Sequence, residues 1–280
     1  FGMHSKYGEI VMDRTEWTKA MRWRIADYLA DERLEEINKH LKPVKVKKTI
    51  YTEYIKRFLD ILISLIACIL TFPINLILGI ITFFDVGRPV FFKQNRLGQN
   101  GKIFCIVKFR NMRDTRDERG ELLPPAKRVT KFGKFVRKTS LDELLNFWSI
   151  LKGDMSLIGP RPLVPEYYSR YNARHIKRLA VRPGLECPPR KLTDHVWTWQ
   201  EQFENDIWYV ENVSFWTDCK MICNLVRFAL DKKSINARAM SSRGIFMGYD
   251  LKGKAINLEE VPQEYVDRIE LERDTFSNMR

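Results

Sequence analysis

The sequence predicts an α/β protein that is mostly helical, has a small β element, and inserts a re-entrant helical hairpin into a membrane beside a soluble domain with interfacial amphipathic helices. Three observations predict this fold class. Residues 58–84 form a long apolar stretch, several other segments repeat apolar residues at helical spacing, and two short apolar runs flank a glycine turn. The composition, 45% hydrophobic and 30% charged, is typical of a folded chain.

Residues 1–50 are predicted to hold one amphipathic helix and a basic linker. Residues 42–48 contain four lysines and form the linker. The chain shows no basic patch followed by an apolar core and a small-residue cleavage site, so we expect no cleavable secretory signal. The helix is predicted over residues 14–41, where the apolar side chains at helical spacing are Trp17, Met21, Ile25, Tyr28, Leu29, Leu34 and Ile37.

Residues 51–90 are predicted to form the membrane hairpin. The apolar stretch within them contains one charged residue, Asp60, and as a straight helix it would be about 40 Å long, enough to cross a hydrocarbon core of about 30 Å. Pro73 lies near its middle, where proline removes a backbone donor and kinks or breaks a helix. Basic residues flank both ends, whereas a spanning helix has a one-sided excess. These features favour a hairpin whose ends return to one face, and a kinked crossing helix is the alternative.

Residues 91–240 are predicted to form the main soluble domain, and residues 241–280 a peripheral C-terminal extension. Two short strands are expected at residues 90–94 and 103–107. The glycine-containing turn at residues 98–101 would join them into a hairpin.

The strongest helix signal in the soluble domain covers residues 141–152. Ser140 and Glu143 have the spacing of a capping box at its start, and Gly153 is placed to end it. The aromatic-rich segment 197–216 fits either a membrane-interface belt or ordinary core packing. Further helices are predicted at residues 214–230 and from Pro262 onward.

The formal net charge of +13 predicts an anionic partner: nucleic acid, an anionic membrane surface or a phosphorylated substrate. We expect no nucleic-acid partner, because no nucleic-acid motif is present and such a function would leave the apolar stretch unexplained. The five cysteines include no CxxC pair and the four histidines are scattered, which disfavours a zinc site.

The adjacent carboxylates Asp142 and Glu143 have two interpretations. Acidic residues in the first turn of a helix stabilise its dipole and bind free backbone amides, which is the more common role. Alternatively, one carboxylate is a nucleophile and the other its helper, with a divalent metal offsetting the charge of a phosphate substrate.

Several cations surround this pair in the sequence. Arg161 lies between Pro160 and Pro162, which restrict its backbone, and a guanidinium fork suits a diphosphate. The other candidates follow the second predicted strand or precede the helix, namely Lys108, Arg110, Arg137 and Lys138. Together they predict an anion site.

Three segments resemble a known family: QNRLG at residues 94–98, KFRNM at residues 108–112, and RKTSLDELLNFWSILKGDMSLIGPRPL at residues 137–163. They are similar to the bacterial sugar transferases, the small monotopic phosphoglycosyl transferases that begin lipid-linked glycan assembly. The resemblance runs from about Lys56 to Lys232. Two positions depart from the family pattern: Phe72 precedes Pro73 where the family has serine, and residues 185–190 replace a loop that usually contains Gly-Trp, which leaves the donor sugar open.

The resemblance implies that Asp142 attacks the β-phosphate of a UDP-sugar, releases UMP and carries the phosphosugar until polyprenyl (undecaprenyl) phosphate accepts it, a ping-pong sequence. Glu143 is implied as its partner in binding Mg²⁺, the implied cofactor, or in proton transfer. Asp206 matches an acidic active-site position. The matching basic phosphate-handling positions are Lys108, Arg137, Arg161 and Arg182.

The resemblance also implies a location. The catalytic domain would face the cytoplasm at the bacterial inner (cytoplasmic) membrane, with anionic phospholipids near the basic flanks of the hairpin. Whether the chain forms a homo-oligomer is left open. Two other functions compete: a non-catalytic scaffold that binds anionic lipids, and a glycosyltransferase that moves only the sugar.

Overall fold

The structure, a computed structural model, describes residues 17–118, 120, 122–190, 195–230 and 243–278. Within these residues helices dominate and the strands form three two-stranded sheets, so the predicted α/β class with a small β element is confirmed. Residues 1–16, on which the expectation of no cleavable signal depends, lie outside the described part of the chain.

The N-terminal helix α1 (Lys19–Lys39) packs against the C-terminal segment. Thr18 begins it by accepting a hydrogen bond from the amide of Met21 at 3.2 Å. Its buried face shares a core with residues that follow 243 in the chain. The elements concerned are β5 (Phe246–Tyr249), β6 (Ala255–Asn257) and α8 (Gln263–Asn278).

A second core joins these terminal segments to the rest of the protein. The ring of Phe246 on β5 packs edge-on against Phe203 of α6 (Trp199–Asn212), with ring centroids 4.9 Å apart. Tyr167 and Tyr171 lie in the same cluster. The boundaries of the four predicted units stay a prediction, but β5 is fully buried, so residues 246–249 contribute to the core of the protein.

The apolar stretch forms one long helix, α2 (Lys56–Val86), preceded by a π-helical turn over Tyr51–Ile55. It is long and apolar enough to cross a membrane. The helix continues through Pro73, so the expected break is not present. Proline removes only one backbone donor, and in an apolar surrounding the remaining backbone groups have no better partners than each other.

The N-terminal end of α2 is anchored in the soluble domain. Arg57 donates to the carbonyls of Ile150 and Leu151 at 2.6 and 2.8 Å. One turn later, the buried carboxylate of Asp60 accepts a hydrogen bond from the amide of Leu157 at 3.1 Å. The single charged residue of the apolar stretch therefore binds the soluble domain.

The C-terminal end of α2 is anchored in the same domain. Arg113 Nε donates to the carbonyl of Asp85 at 2.9 Å, and Thr130 donates to the carboxylate of Asp85 at 2.5 Å. Arg110 donates to the carbonyl of Val86. Both ends of the helix are thus held by one folded unit.

Strands β1 (Phe91–Leu97) and β2 (Ile103–Phe109) form the predicted antiparallel hairpin around residues 98–102. Because successive side chains alternate between faces, Lys108 projects to the same side of β2 as Phe104 and Ile106. That side packs against Ile150 and Met155, beside helix α5 (Asn146–Lys152). The strand therefore delivers Lys108 to the region of residues 142 and 143.

The aromatic-rich segment divides between the two predicted roles. Phe203 and Tyr209 of α6 are fully buried. Phe215 and Trp216, which begin α7 (Phe215–Leu230), are 45% and 78% exposed. Core packing therefore accounts for Phe203 and Tyr209. Phe215 and Trp216 lie exposed at the start of the helix predicted at residues 214–230.

Candidate active site

The two adjacent carboxylates lie on a short 3-10 turn, Leu141–Glu143, that precedes α5. Ser140 adopts a left-handed conformation with φ of 55° and its side chain makes no capping bond, so the predicted capping box is wrong. The reason is that Glu143 binds distant cations instead of the local backbone. Gly153 ends α5 in a left-handed conformation, as predicted.

Glu143 is held by two cations. Its Oε1 atom lies 2.7 Å from Lys108 Nζ and 2.6 Å from Arg161 Nη2. Burial alone would raise the pKa of Glu143, but Arg161 and Lys108 together outweigh burial and hold the pKa below its ordinary value. Glu143 is therefore an ionised carboxylate with a fixed position.

Asp142 has a different environment. Its side chain is buried, and in the described part of the chain its carboxylate makes no hydrogen bond or ion pair with another side chain. Burial raises the pKa of Asp142, and the charge of Lys108 only partly opposes this. The two neighbours thus differ, because Glu143 is held in two ion pairs and Asp142 is in none with a described side chain.

The backbone of Arg161 is fixed by a hydrogen bond from a buried arginine as well as by its flanking prolines. Arg178 Nη2 donates to the carbonyl of Arg161 at 2.8 Å. Arg161 Nη1 also binds Glu186 Oε2 at 2.9 Å, and Glu186, then Glu143, raises the pKa of the guanidinium. Glu186 reaches this position because β3 (Ser156–Ile158) pairs in parallel with β4 (Gly184–Glu186).

Arg178 was not predicted from the sequence. It lies in a 3-10 segment with a fully buried side chain, and its guanidinium contacts Asp206 Oδ2 at 2.7 and 2.9 Å. Gln202 donates to the other carboxylate oxygen of Asp206 at 2.9 Å. Asp206 is 0% exposed, so its visible role is to hold Arg178, and its assignment as a substrate-binding residue stays a prediction.

Arg110 does not join the dyad. Besides the carbonyl of Val86, it binds Asp114 at 2.9 Å, and so it fixes the end of α2. Its assignment as a substrate-binding residue stays a prediction. Its guanidinium binds the C-terminal end of α2, which its position after β2 alone could not indicate.

Neither of the two other predicted cations makes an ion pair with the dyad in the described part of the chain. Arg137 is exposed in the last turn of α4 (Lys131–Lys138), which follows the short helix α3 (Pro125–Arg128). Its charge lowers the pKa of Asp142, after the larger effects of burial and Lys108. Arg182 precedes β4, and its backbone packs closely against Gly159. A Cβ atom added to Gly159 would come within 2.6 Å of the Arg182 carbonyl oxygen. Arg182 makes no ion pair with any residue that the structure describes.

A small cavity of 30 Å³ lies among Lys108, Glu143 and Arg161, and it is bordered by Arg96 and Asn146. This is about the volume of one water molecule. Lys108, Glu143 and Arg161 are thus engaged in internal ion pairs, and a diphosphate would have to replace some of them. In the described ranges no group of three or more His, Cys, Asp or Glu side chains is placed to hold a metal ion.

The chain was compared with known proteins. Residues 51–232 match the family described as bacterial sugar transferase. Over 181 residues the chain is 40% identical to the uncharacterized sugar transferase EpsL of Bacillus subtilis, covering 65% of this chain and 90% of EpsL.

Other relatives carry specific activities in their names. The UDP-N-acetylgalactosamine-undecaprenyl-phosphate N-acetylgalactosaminephosphotransferase of Aeromonas hydrophila is 34% identical over 63% of this chain and 44% of its own length. The UDP-glucose:undecaprenyl-phosphate glucose-1-phosphate transferase of Klebsiella pneumoniae is 35% identical over 60% of this chain and 38% of its own length. The chain thus spans less than half of these two relatives.

The family match covers α2, the dyad, the cations that hold Glu143 and the buried Arg178–Asp206 pair. It leaves out α1 and the C-terminal strands, which form the shared terminal core. A match over more than half of the chain, together with the near-complete coverage of a relative at 40% identity, establishes the relationship. The chain is a transferase that belongs to the bacterial sugar transferase family.

Proposed function

We propose that this chain transfers a sugar-1-phosphate from a UDP-sugar to undecaprenyl phosphate, releasing UMP and starting the assembly of a lipid-linked glycan. The names of the relatives support this reaction, and they differ in the sugar that they state. The donor sugar is therefore left open.

The observation that carries the proposal is the difference between Asp142 and Glu143. In the proposed first step a carboxylate oxygen of Asp142 attacks the β-phosphorus, and the bond from that phosphorus to the bridging oxygen breaks, so that UMP leaves with the electron pair. In the second step a phosphate oxygen of undecaprenyl phosphate attacks the same phosphorus and Asp142 is regenerated. A nucleophile must be free to attack, and Glu143 is occupied by two cations.

The neighbouring side chains suit the charge that the reaction handles. Arg161 offers a two-pronged donor on a loop that is held by Arg178, and Lys108 offers a second cation at the end of β2. Preorganised cations of this kind stabilise the charge on a transferring phosphoryl group. Glu143 keeps both cations in place before the substrate binds.

We also propose that Mg²⁺ takes part. The ion is commonly bound through one or two carboxylates together with substrate phosphates, and Asp142 offers hard oxygen donors that make no ion pair or hydrogen bond with another described side chain. Asp142 and Glu143 would hold it, and when bound it would offset the negative charge of the diphosphate.

The re-entrant topology of α2 is part of the proposal. Residues 65–77, between the buried Ser64 and Leu78, would span only about 20 Å as a helix, less than the hydrocarbon core of about 30 Å. Both flanking parts pack on the same soluble unit. A simple crossing would place that unit on both sides of the membrane, whereas a helix that enters and returns would not.

Exposed aromatic side chains support a location at the membrane interface. Trp148 on α5 is 60% exposed and Phe135 on α4 is 54% exposed, and both helices contact the soluble-domain ends of α2. The ring of Phe215 lies 6.1 Å from that of Tyr51, where α2 enters. We place the domain on the cytoplasmic face of the inner membrane, with anionic phospholipids near the basic flanks.

The test is incubation of detergent-purified protein with single UDP-sugars, with and without undecaprenyl phosphate. We expect UMP as the leaving group, and without acceptor a hexose-phosphate or N-acetylhexosamine-phosphate adduct on the peptide that contains Asp142. Asp142→Asn should abolish both, whereas Asp154→Asn, a carboxylate at the other end of α5, should preserve them. Release of UDP would instead indicate a glycosyltransferase that moves only the sugar, and UMP without an adduct would indicate direct transfer.

A further inference from the structure

An apolar groove lies between the second half of α2 and the β hairpin. Its volume is 540 Å³, within the range of roughly 300–1,000 Å³ that is usual for ligand pockets. Asn75 is its single polar lining residue. The side chains that form its two walls include Phe72, Leu76 and Ile80 from α2, and Phe91, Phe109 and Leu145 from the facing side.

The inner wall of the groove includes Leu145, which lies two residues after the dyad, and the cluster behind this wall includes the rest of that segment. Leu141, Leu144 and Leu145 pack against the cluster of Leu78, Phe109 and Val136. Asp142 and Glu143 lie between these leucines in the chain, and Phe109 directly follows Lys108. The groove and the charged site therefore share one segment, with apolar side chains toward α2 and carboxylates toward the cations.

The outer part of the groove is open and apolar. Phe72 and Phe84, which line it, are 67% and 80% exposed, and both lie on the helix that we place in the membrane. Where the helix ends, the guanidinium of Arg88 lies 5.7 Å from the centre of the Phe83 ring, which also lines the groove. The groove thus combines a lipid-facing apolar wall with a cation, Arg88, at the end nearest the soluble domain.

We propose that this groove holds the isoprene units nearest the phosphate of the polyprenyl phosphate acceptor, an inference that depends on the proposed function. The acceptor joins an apolar chain to an anionic group, and that group must reach Asp142. A contiguous apolar wall that ends at the dyad turn binds the chain and aims the phosphate at the site. The rest of the polyprenyl chain, beyond the groove, would stay in the bilayer beside the exposed part of α2.

The proposal can be tested by filling the groove. A Cβ atom on Gly79 would meet Phe109 Cε1 at 3.6 Å, an ordinary contact, so Gly79→Leu adds side-chain volume without a clash at Cβ. We expect the KM for undecaprenyl phosphate to rise by about tenfold, with a smaller rise for Gly79→Ala. Stabilisation of the variant by UDP-sugar in a thermal unfolding assay should stay at the parent value, which shows that the fold and the donor site are intact.

A matched pair of variants separates the groove from the rest of the helix. Ile80 lines the groove and the neighbouring Ile81, also exposed, does not. Ile80→Trp should raise the KM for undecaprenyl phosphate, and Ile81→Trp should leave it unchanged. Equal effects of the two, or an unchanged KM in both Ile80→Trp and Gly79→Leu, would overturn the proposal. If the unmodified protein forms no UMP from any UDP-sugar, the proposed function itself would be contradicted.

Photolabelling identifies the occupant directly. A polyprenyl phosphate with a diazirine on its first isoprene unit should label the peptide that contains residues 72–84, and excess undecaprenyl phosphate should remove the label. Excess phosphatidylglycerol should not. If phosphatidylglycerol removes the label equally well, the groove binds bulk lipid chains and the proposal is wrong.

Discussion

Glu186 Oε2 accepts a hydrogen bond from Arg161 Nη1 at 2.9 Å, while Arg161 Nη2 donates to Glu143 at 2.6 Å. An internal carboxylate therefore occupies each end of the guanidinium fork that we propose for the donor diphosphate. Binding must displace at least one of them. Glu186 is the more exposed, at 30% against 23% for the side chain of Glu143, and it is the one expected to move.

Glu186→Gln is therefore expected to lower the KM for UDP-sugar. The amide keeps the shape of the side chain but removes the charge that competes with the diphosphate, so a decrease of about threefold or more is expected. Initial rates at saturating undecaprenyl phosphate measure it. Glu166→Gln, which alters a carboxylate with a long ion pair to Lys19 at 3.8 Å, is the control. A higher KM in Glu186→Gln would show that Glu186 positions Arg161 for binding.

The acid limb of the pH profile of kcat/KM should follow the ionisation of Asp142. As a nucleophile Asp142 must be ionised, so kcat/KM falls as the pH drops through its pKa, which burial raises above the ordinary value of an aspartate. Arg137 is one of the charges that oppose this rise. Arg137→Gln should therefore move the acid limb to higher pH.

The neighbouring Lys138→Gln serves as the control for that shift, because it removes an exposed cation from the same helix end. The kcat/KM for UDP-sugar is measured from acid to neutral pH in the parent and in both variants. Acid limbs that coincide in the parent and Arg137→Gln would mean that Asp142 does not set the profile.

Asp206→Asn should act mainly on stability. The substitution leaves the fully buried guanidinium of Arg178 without a counter-ion, and breaking a buried pair in this way costs about 3–5 kcal/mol. We expect a clear decrease in Tm, with no comparable decrease for the exposed Asp267→Asn. An unchanged Tm with a raised KM for UDP-sugar would instead support direct contact between Asp206 and the substrate.

The residues at the centre of the site could be predicted because each of them carries a local signal in the sequence. Asp142 and Glu143 are adjacent, Arg161 lies between two prolines, and Lys108 ends a strand. Each signal depends on neighbours within a few residues. The antiparallel pairing of β1 and β2 was predictable for the same reason, since a short turn joins them.

The remaining features depend on contacts between distant parts of the chain. Glu186 reaches Arg161 only through the parallel pairing of β3 with β4, and Arg178 reaches its carbonyl from a separate 3-10 segment. The same kind of contact made one prediction wrong. Ser140 and Glu143 have the spacing of a capping box, but Lys108 and Arg161 bind the carboxylate more strongly than a local amide would.

The last prediction concerns the topology of α2. Ile50 precedes α2 in the sequence and Asn95 follows it, and both are exposed. Cysteines introduced at these two positions should react with a membrane-impermeant maleimide from the same side of the membrane. The reason is that both ends of α2 are anchored in one soluble unit, and residues 65–77 are too short to cross the hydrocarbon core as a helix.

The native thiols must first be replaced by serine, because Cys105 and Cys223 are exposed and would react. In inverted membrane vesicles, where the cytoplasmic face is outward, both introduced cysteines should be labelled without detergent, and in intact spheroplasts neither should be. A cysteine at Ile69, 65% exposed in the middle of the stretch, should stay unlabelled in both preparations because hydrocarbon surrounds it. Labelling of Ile50→Cys and Asn95→Cys from opposite sides would show a crossing helix, and the soluble domain could not then bind both ends as it does here.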